Sequence, residues 1–210
     1  MFTLIKREIQ DHFLYLIGSV VLTAILIVAL TTFAFHQDTR IDWDDLIAPI
    51  IPIAILIMLG FCAMGVSQMY ADRNRRISAF VSTLPVTRTH ILFARIATGI
   101  ITILILLIPL IVTTAILIRW FEPPIPMYAG IIFDISLTAF LMMLACYCIG
   151  LLTGWNPSKV IPTFGALVLT CILVPLVIIK GFGWEIAMIL SVFIAALLIR
   201  TWQTFTSASL

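Results

Sequence analysis

Residues 96–118 read IATGIITILILLIPLIVTTAILI, twenty-three consecutive positions without an ionisable side chain. A helix rising about 1.5 Å per residue needs about 20 apolar residues to cross a hydrocarbon layer roughly 30 Å thick. In lipid, a helix is also the one single-segment structure that satisfies its own backbone donors and acceptors. This stretch therefore predicts a transmembrane helix, and Pro109, which removes a backbone donor, predicts a bend within it.

Outward from it, the same test selects Phe13 to Phe35, Leu46 to Met69, Tyr128 to Leu152, Val160 to Ile179 and Ile186 to Ile199. Trp184 and Trp202 bracket the last run, and tryptophan favours both membrane interfaces, so the sixth span extends to about 184–202. Pro175 lies inside the fifth run as Pro109 does inside the third. The expected fold is an all-α integral membrane protein of six transmembrane helices, with consecutive helices antiparallel neighbours. Segments between the runs are short. The longest, residues 70–95, is 26 residues, below the roughly 40 at which an independent fold becomes plausible. One transmembrane domain over residues 1–210 is expected. The first run is too long for the apolar core of a cleaved signal peptide and lacks an A-x-A site, so it reads as a permanent span.

Composition agrees. The chain is 62% hydrophobic and 10% charged, against about 45–50% and 25% in soluble domains. A net charge of +2 provides no general field for nucleic acid. Position matters more than sum. With the N-terminus inside, Lys6, Arg7, Arg73, Arg75, Arg76, Arg88, Arg95, Lys159 and Arg200 are internal, and only Arg40, Arg119 and Lys180 external. That bias predicts that both termini are cytoplasmic; the membrane expected is the plasma membrane, a bacterial inner membrane. Asp38, Asp42, Asp44 and Asp45 fall in the first external segment, as a solvated acidic loop would.

Motifs for chemistry are missing. Gly60, Gly65 and Ser67 imitate a phosphate-binding loop, but Val66 stands where its lysine must be. His12, His36 and His90 lie outside the runs, so no buried serine–histidine pair forms, and H-E-x-x-H does not occur. Cys62, Cys146, Cys148 and Cys171 sit in apolar runs without the spacing of a redox or zinc pair. Neither an enzyme nor a chain with a cofactor or metal of its own is expected.

Asp134 is the one ionisable residue well inside a predicted span. A carboxylate at a helix centre costs about 2.5–3.5 kcal/mol on insertion scales, so it should face protein or water. It fits either a hydrogen-bonded structural group or the centre of an ion-coupled transporter. Gly150 and Gly154 form a G-x-x-x-G that would admit another helix closely, or else loosen a helix end before Trp155-Asn156-Pro157.

Two amphipathic segments flank this core. Phe2, Ile5 and Ile9 take one face of a short helix and Lys6 and Arg7 the other, which predicts an interfacial helix along the cytoplasmic surface. In the link between spans two and three, Ile77, Phe80, Val81 and Leu84 share a helical face, and Pro85 marks its end. Arg73, Arg75 and Arg76 precede it and Arg88 follows. These residues suit a helix resting on lipid, or one that carries force from a cytoplasmic partner into the third span.

Thr83-Leu84-Pro85-Val86-Thr87-Arg88 resembles the Ser/Thr-Leu-Pro-Val-Ser/Thr-Arg sequence found between the second and third spans of ABC-2 type transporter permeases. Span count, size and the N-terminal amphipathic helix are similar too. The resemblance implies an exporter subunit working as a homo- or heterodimer, its link helix coupled to a separate ATPase that holds the ATP and magnesium. Here Asp72 alone represents the acidic residues common in that link, and the outer segment between spans five and six is short. The rivals are an ion-coupled secondary transporter using Asp134 and a membrane scaffold or assembly protein.

Overall fold

A computed structural model of the chain describes residues 13–35, 43–74, 88–121, 127–154, 161–181 and 183–207. They form six helices, with no strand among the described residues: α1 Phe13–Phe35, α2 Trp43–Asn74, α3 Arg88–Phe121, α4 Met127–Gly154, α5 Ile161–Lys180 and α6 Trp184–Ser207. Five are long and apolar enough to cross a membrane, over Phe13–Thr32, Pro52–Tyr70, His90–Trp120, Gly130–Gly154 and Trp184–Thr204. The N-terminal segment with Phe2, Ile5, Lys6, Arg7 and Ile9 lies outside the described residues, as do Arg75, Arg76, Ile77, Phe80, Val81, Leu84 and Pro85 of the link.

The helices overrun the hydropathy limits. α3 begins at Arg88 instead of Ile96, and α6 continues to Ser207. Pro109 and Pro175 are inside helices that run on past them. The turn from α5 to α6 is tight. Gly181, at φ +89°, occupies the left-handed region that L side chains avoid, and its N–H donates to Val177 O at 3.1 Å, closing α5. Gly183 O accepts the first bond of α6, from Ala187 N at 3.1 Å.

α4 is the hub. It packs along α2 most extensively, then α6, and also touches α3 and α5, while α1 leans chiefly on α3. Consecutive helices are expected to be neighbours; α3 with α4 and α4 with α5 do touch, but the most extensive pair is α2 with α4. Small residues cause this. A Cβ on Gly150 would collide with the Cys62 carbonyl, and one on Gly65 would stand 2.5 Å from Tyr147 O and 2.8 Å from Leu151 N. On Gly154 it would stand 2.8 Å from Val66 O. Without side chains at these points the two backbones touch, which maximises dispersion where lipid supplies no hydrophobic drive between helices. Cys62, Val66 and Met69 meet Gly150 and Gly154 in ascending order, so α2 and α4 run parallel. Phe93, near the start of α3, meets Trp202, near the end of α6, edge to face with ring centroids 6.3 Å apart and planes at 71°.

Polar residues inside the bundle are mostly satisfied within their own helices. Thr23, Thr98, Thr102 and Thr201 are buried, and each hydroxyl donates to the carbonyl four residues earlier at 2.7–2.9 Å. This back-bonding lets a hydroxyl enter an apolar environment without a partner helix.

Candidate functional site

Three polar residues not satisfied this way, Gln68, Arg95 and Tyr147, gather where α2 ends, α3 begins and α4 ends. Tyr147 is completely buried, and Gln68 and Arg95 are each 1% exposed. The Tyr147 hydroxyl oxygen lies 2.6 Å from Gln68 Oε1 on α2 and 2.8 Å from Arg95 O on α3. Arg95 Nη1 donates to Met69 Sδ at 3.1 Å. Gln68 Nε2 is buried without a hydrogen-bond partner.

Glycine admits the tyrosine. A Cβ on Gly99 of α3 would fall on the ring at Cζ, so α3 approaches α4 at this level because Gly99 has none. Behind the ring, the backbone of Tyr147 rests on Gly65. Gly99 thus meets the ring on α3, and Gly65 meets the backbone that carries it on α2. α2 and α3 themselves approach each other little among the described residues. The residues that join them are therefore Tyr147, reaching from α4 to both, and Arg95 on Met69.

Arg95 corrects the sequence reading twice. Counted there as a charge of the link, it lies inside the span His90–Trp120. Asp134 is therefore not the one ionisable residue within a span. Burial of a guanidinium is costly unless its donors are met, so such a residue belongs to a specific arrangement.

Asp134 itself is exposed on the surface of the bundle, away from this cluster, amid exposed Ile131, Phe133 and Ile135. It does not face the protein interior of this chain. Its backbone carbonyl accepts the Thr138 hydroxyl at 2.8 Å. Of the link residues singled out by sequence, Arg73 closes α2 and Arg88 opens α3 by backbone position.

Among the described residues no group of three metal-ligating side chains occurs. The cysteines are free, with Cys62, Cys146 and Cys148 buried and Cys171 exposed. No family model, curated protein or solved structure matches this chain.

What the cluster can do is mechanical. Gln68 and Met69 stand just before the link and Arg95 just after it, and Tyr147 holds both sides to the central helix.

Proposed function

We propose that this chain is the permease subunit of an ATP-driven transporter of the ABC-2 type, an exporter, crossing the plasma membrane six times with both termini cytoplasmic. α5 supplies the remaining span: it is 20 residues long and carries no charged residue before its terminal Lys180. The observation that carries the reading is the Tyr147 joint beneath the link. A loop that merely connects two spans has no need of a buried three-helix anchor. A loop that receives force from an ATPase does, because the force must enter the bundle and not be lost in bending.

Support also comes from the Thr83 to Arg88 sequence, the nine-to-three distribution of Lys and Arg, and the lack of a phosphate-binding lysine at Val66. Link residues Arg73, Arg75, Arg76, Ile77, Phe80, Val81, Leu84, Pro85 and Arg88 form the docking surface for the ATPase. The α2–α4 pair moves as one body, because its glycine contacts are backbone to backbone. Six helices enclose a poor pathway alone, so a second permease chain completes it. The ion-coupled alternative loses ground, since Asp134 lies on the bundle surface and not with the buried polar groups.

Purification from native membranes tests the reading. ATP turnover should accompany the chain only together with a second polypeptide, and should vanish when the chain is isolated. Turnover by the homogeneous chain, or a native preparation with no ATPase at all, would overturn it.

A further inference from the structure

A phenol carries one proton, yet the Tyr147 hydroxyl has two acceptors before it, Gln68 Oε1 at 2.6 Å and Arg95 O at 2.8 Å. Across the same carboxamide, Gln68 Nε2 is a buried donor with nothing to donate to. Both mismatches have one cause. If the carboxamide turns over, Nε2–H donates to the Tyr147 oxygen, whose own proton then goes wholly to the Arg95 carbonyl. We propose that Gln68 and Tyr147 form a two-position latch that binds and releases the first turns of α3.

In one position Tyr147 donates to Gln68 and ties α2 to α4, leaving α3 held by packing and by Arg95 on Met69. In the other, hydrogen bonds run Gln68 to Tyr147 to Arg95 O, and all three helices join. The ring need not move between them and can stay against Gly99. Only the last torsion of Gln68 turns, and that torsion is broad and roughly two-fold. A shift of α3 by less than about 1 Å is enough to carry the Arg95 carbonyl out of hydrogen-bond range. The latch rests on this geometry alone. Its use, releasing α3 when an ATPase moves the link, rests on the permease reading.

The test measures the gap across the link. Spin labels at Asn74 and Thr89, the exposed Cys171 changed to Ala and the three buried thiols retained, report the α2–α3 distance by pulsed electron resonance. The protein is held in phosphatidylethanolamine–phosphatidylglycerol vesicles. Tyr147→Phe keeps the ring but removes the hydroxyl that reaches Arg95 O from α4, so the distance distribution should widen. Gln68→Met keeps the length but removes the competing acceptor, so Tyr147 stays on Arg95 O and the distribution should narrow. A network that served only packing would widen in both variants. That result, or a Tyr147→Phe distribution superposing on the parent, overturns the latch. In the complex purified from native membranes, magnesium-ATP should shift the parent toward the wide form. Opposite responses of the two variants without an ATP shift would sink the permease reading and keep the latch. An ATP shift without opposite responses would do the reverse.

Discussion

Tyr147 and Gln68, 79 residues apart in the chain, meet inside the bundle with the phenol oxygen 2.6 Å from the carboxamide oxygen. That meeting depends on the glycines around it. Gly65 brings the backbone of α2 against that of α4, and Gly99 lets α3 close over the ring. The joint beneath the link is thus a product of close helix packing as much as of polar chemistry. Two predictions examine its parts, and three examine the reading of the whole chain.

Gly150→Ala should destabilise the fold. The added methyl would strike the Cys62 carbonyl, which belongs to a helix backbone and cannot rotate away. Overpacking of this kind costs about 1–3 kcal/mol. Gly18→Ala, with nothing within 4 Å of the new atom, serves as control and should be neutral or gain up to about 1 kcal/mol. Thermal unfolding midpoints in detergent separate the two, and equal midpoints would refute the close-contact argument.

Tyr147→Phe and Gln68→Met should be strongly non-additive. The first leaves the whole Gln68 carboxamide buried without a partner and should cost about 1–2 kcal/mol. The second leaves Tyr147 its Arg95 acceptor and should cost less. Combined, the mutations remove both polar groups together, a change that can be nearly neutral. The double variant should therefore melt above Tyr147→Phe alone. A double-variant loss equal to the sum of the single losses would show that the two groups do not act as a pair.

Much of this architecture was legible beforehand, for physical reasons that also set the limit. Lipid forces apolar runs into helices, so the long apolar helices could be read from hydropathy, and the spacing of Gly150 and Gly154 offered a close helix contact as one of two readings. What that face would meet was not legible, because partner choice between helices depends on long-range fit. The start of α3 was missed for a related reason. Arg95 reads as the edge of a span if the surroundings are water, but α2 and α4 bury it and the helix continues back to Arg88. One signal was available: Ile91 to Ala94 are apolar on the far side of that arginine. Tyr147, set between two cysteines in an apolar run, carries no local mark of its bonds to residues 79 and 52 positions away.

Asp134→Asn should leave both stability and transport close to the parent. The carboxylate is on the bundle surface, and its helix is bonded locally through Thr138. Surface substitutions away from special features usually fall within about 0.5 kcal/mol. Normal assembly with abolished transport would show that this carboxylate takes part in translocation and would revive the ion-coupled alternative.

Cysteines placed singly at Thr39 and Ser207, in a background without the native four, should react with an impermeant reagent from outside and inside respectively. The distribution of Lys and Arg sets this orientation. Labelling of Ser207 from outside would sink the orientation together with the six-span count.

The link itself decides between docking and resting on lipid. If residues 70–88 only lie on the membrane, exchange of the aromatic Phe80 should be tolerated. Charge reversal at Arg75 and Arg76 should then weaken lipid attachment by about 1 kcal/mol per basic group. A docking helix makes a sharper demand. Its aromatic anchor fills a pocket on the partner, and truncating such an anchor costs 2 kcal/mol or more, roughly a thirtyfold loss of affinity. The residues flanking the link favour docking, since Gln68 and Arg95 bond Tyr147 of the central helix and Arg95 also bonds Met69. Phe80→Ala, and Arg75→Glu with Arg76→Glu, should therefore leave the chain inserted while the ATPase is lost from the complex or its hydrolysis is uncoupled from transport. Copurification and transport assays read both effects. Full ATPase binding with full transport in both variants would make the link an interfacial helix and leave the joint beneath it a matter of stability alone.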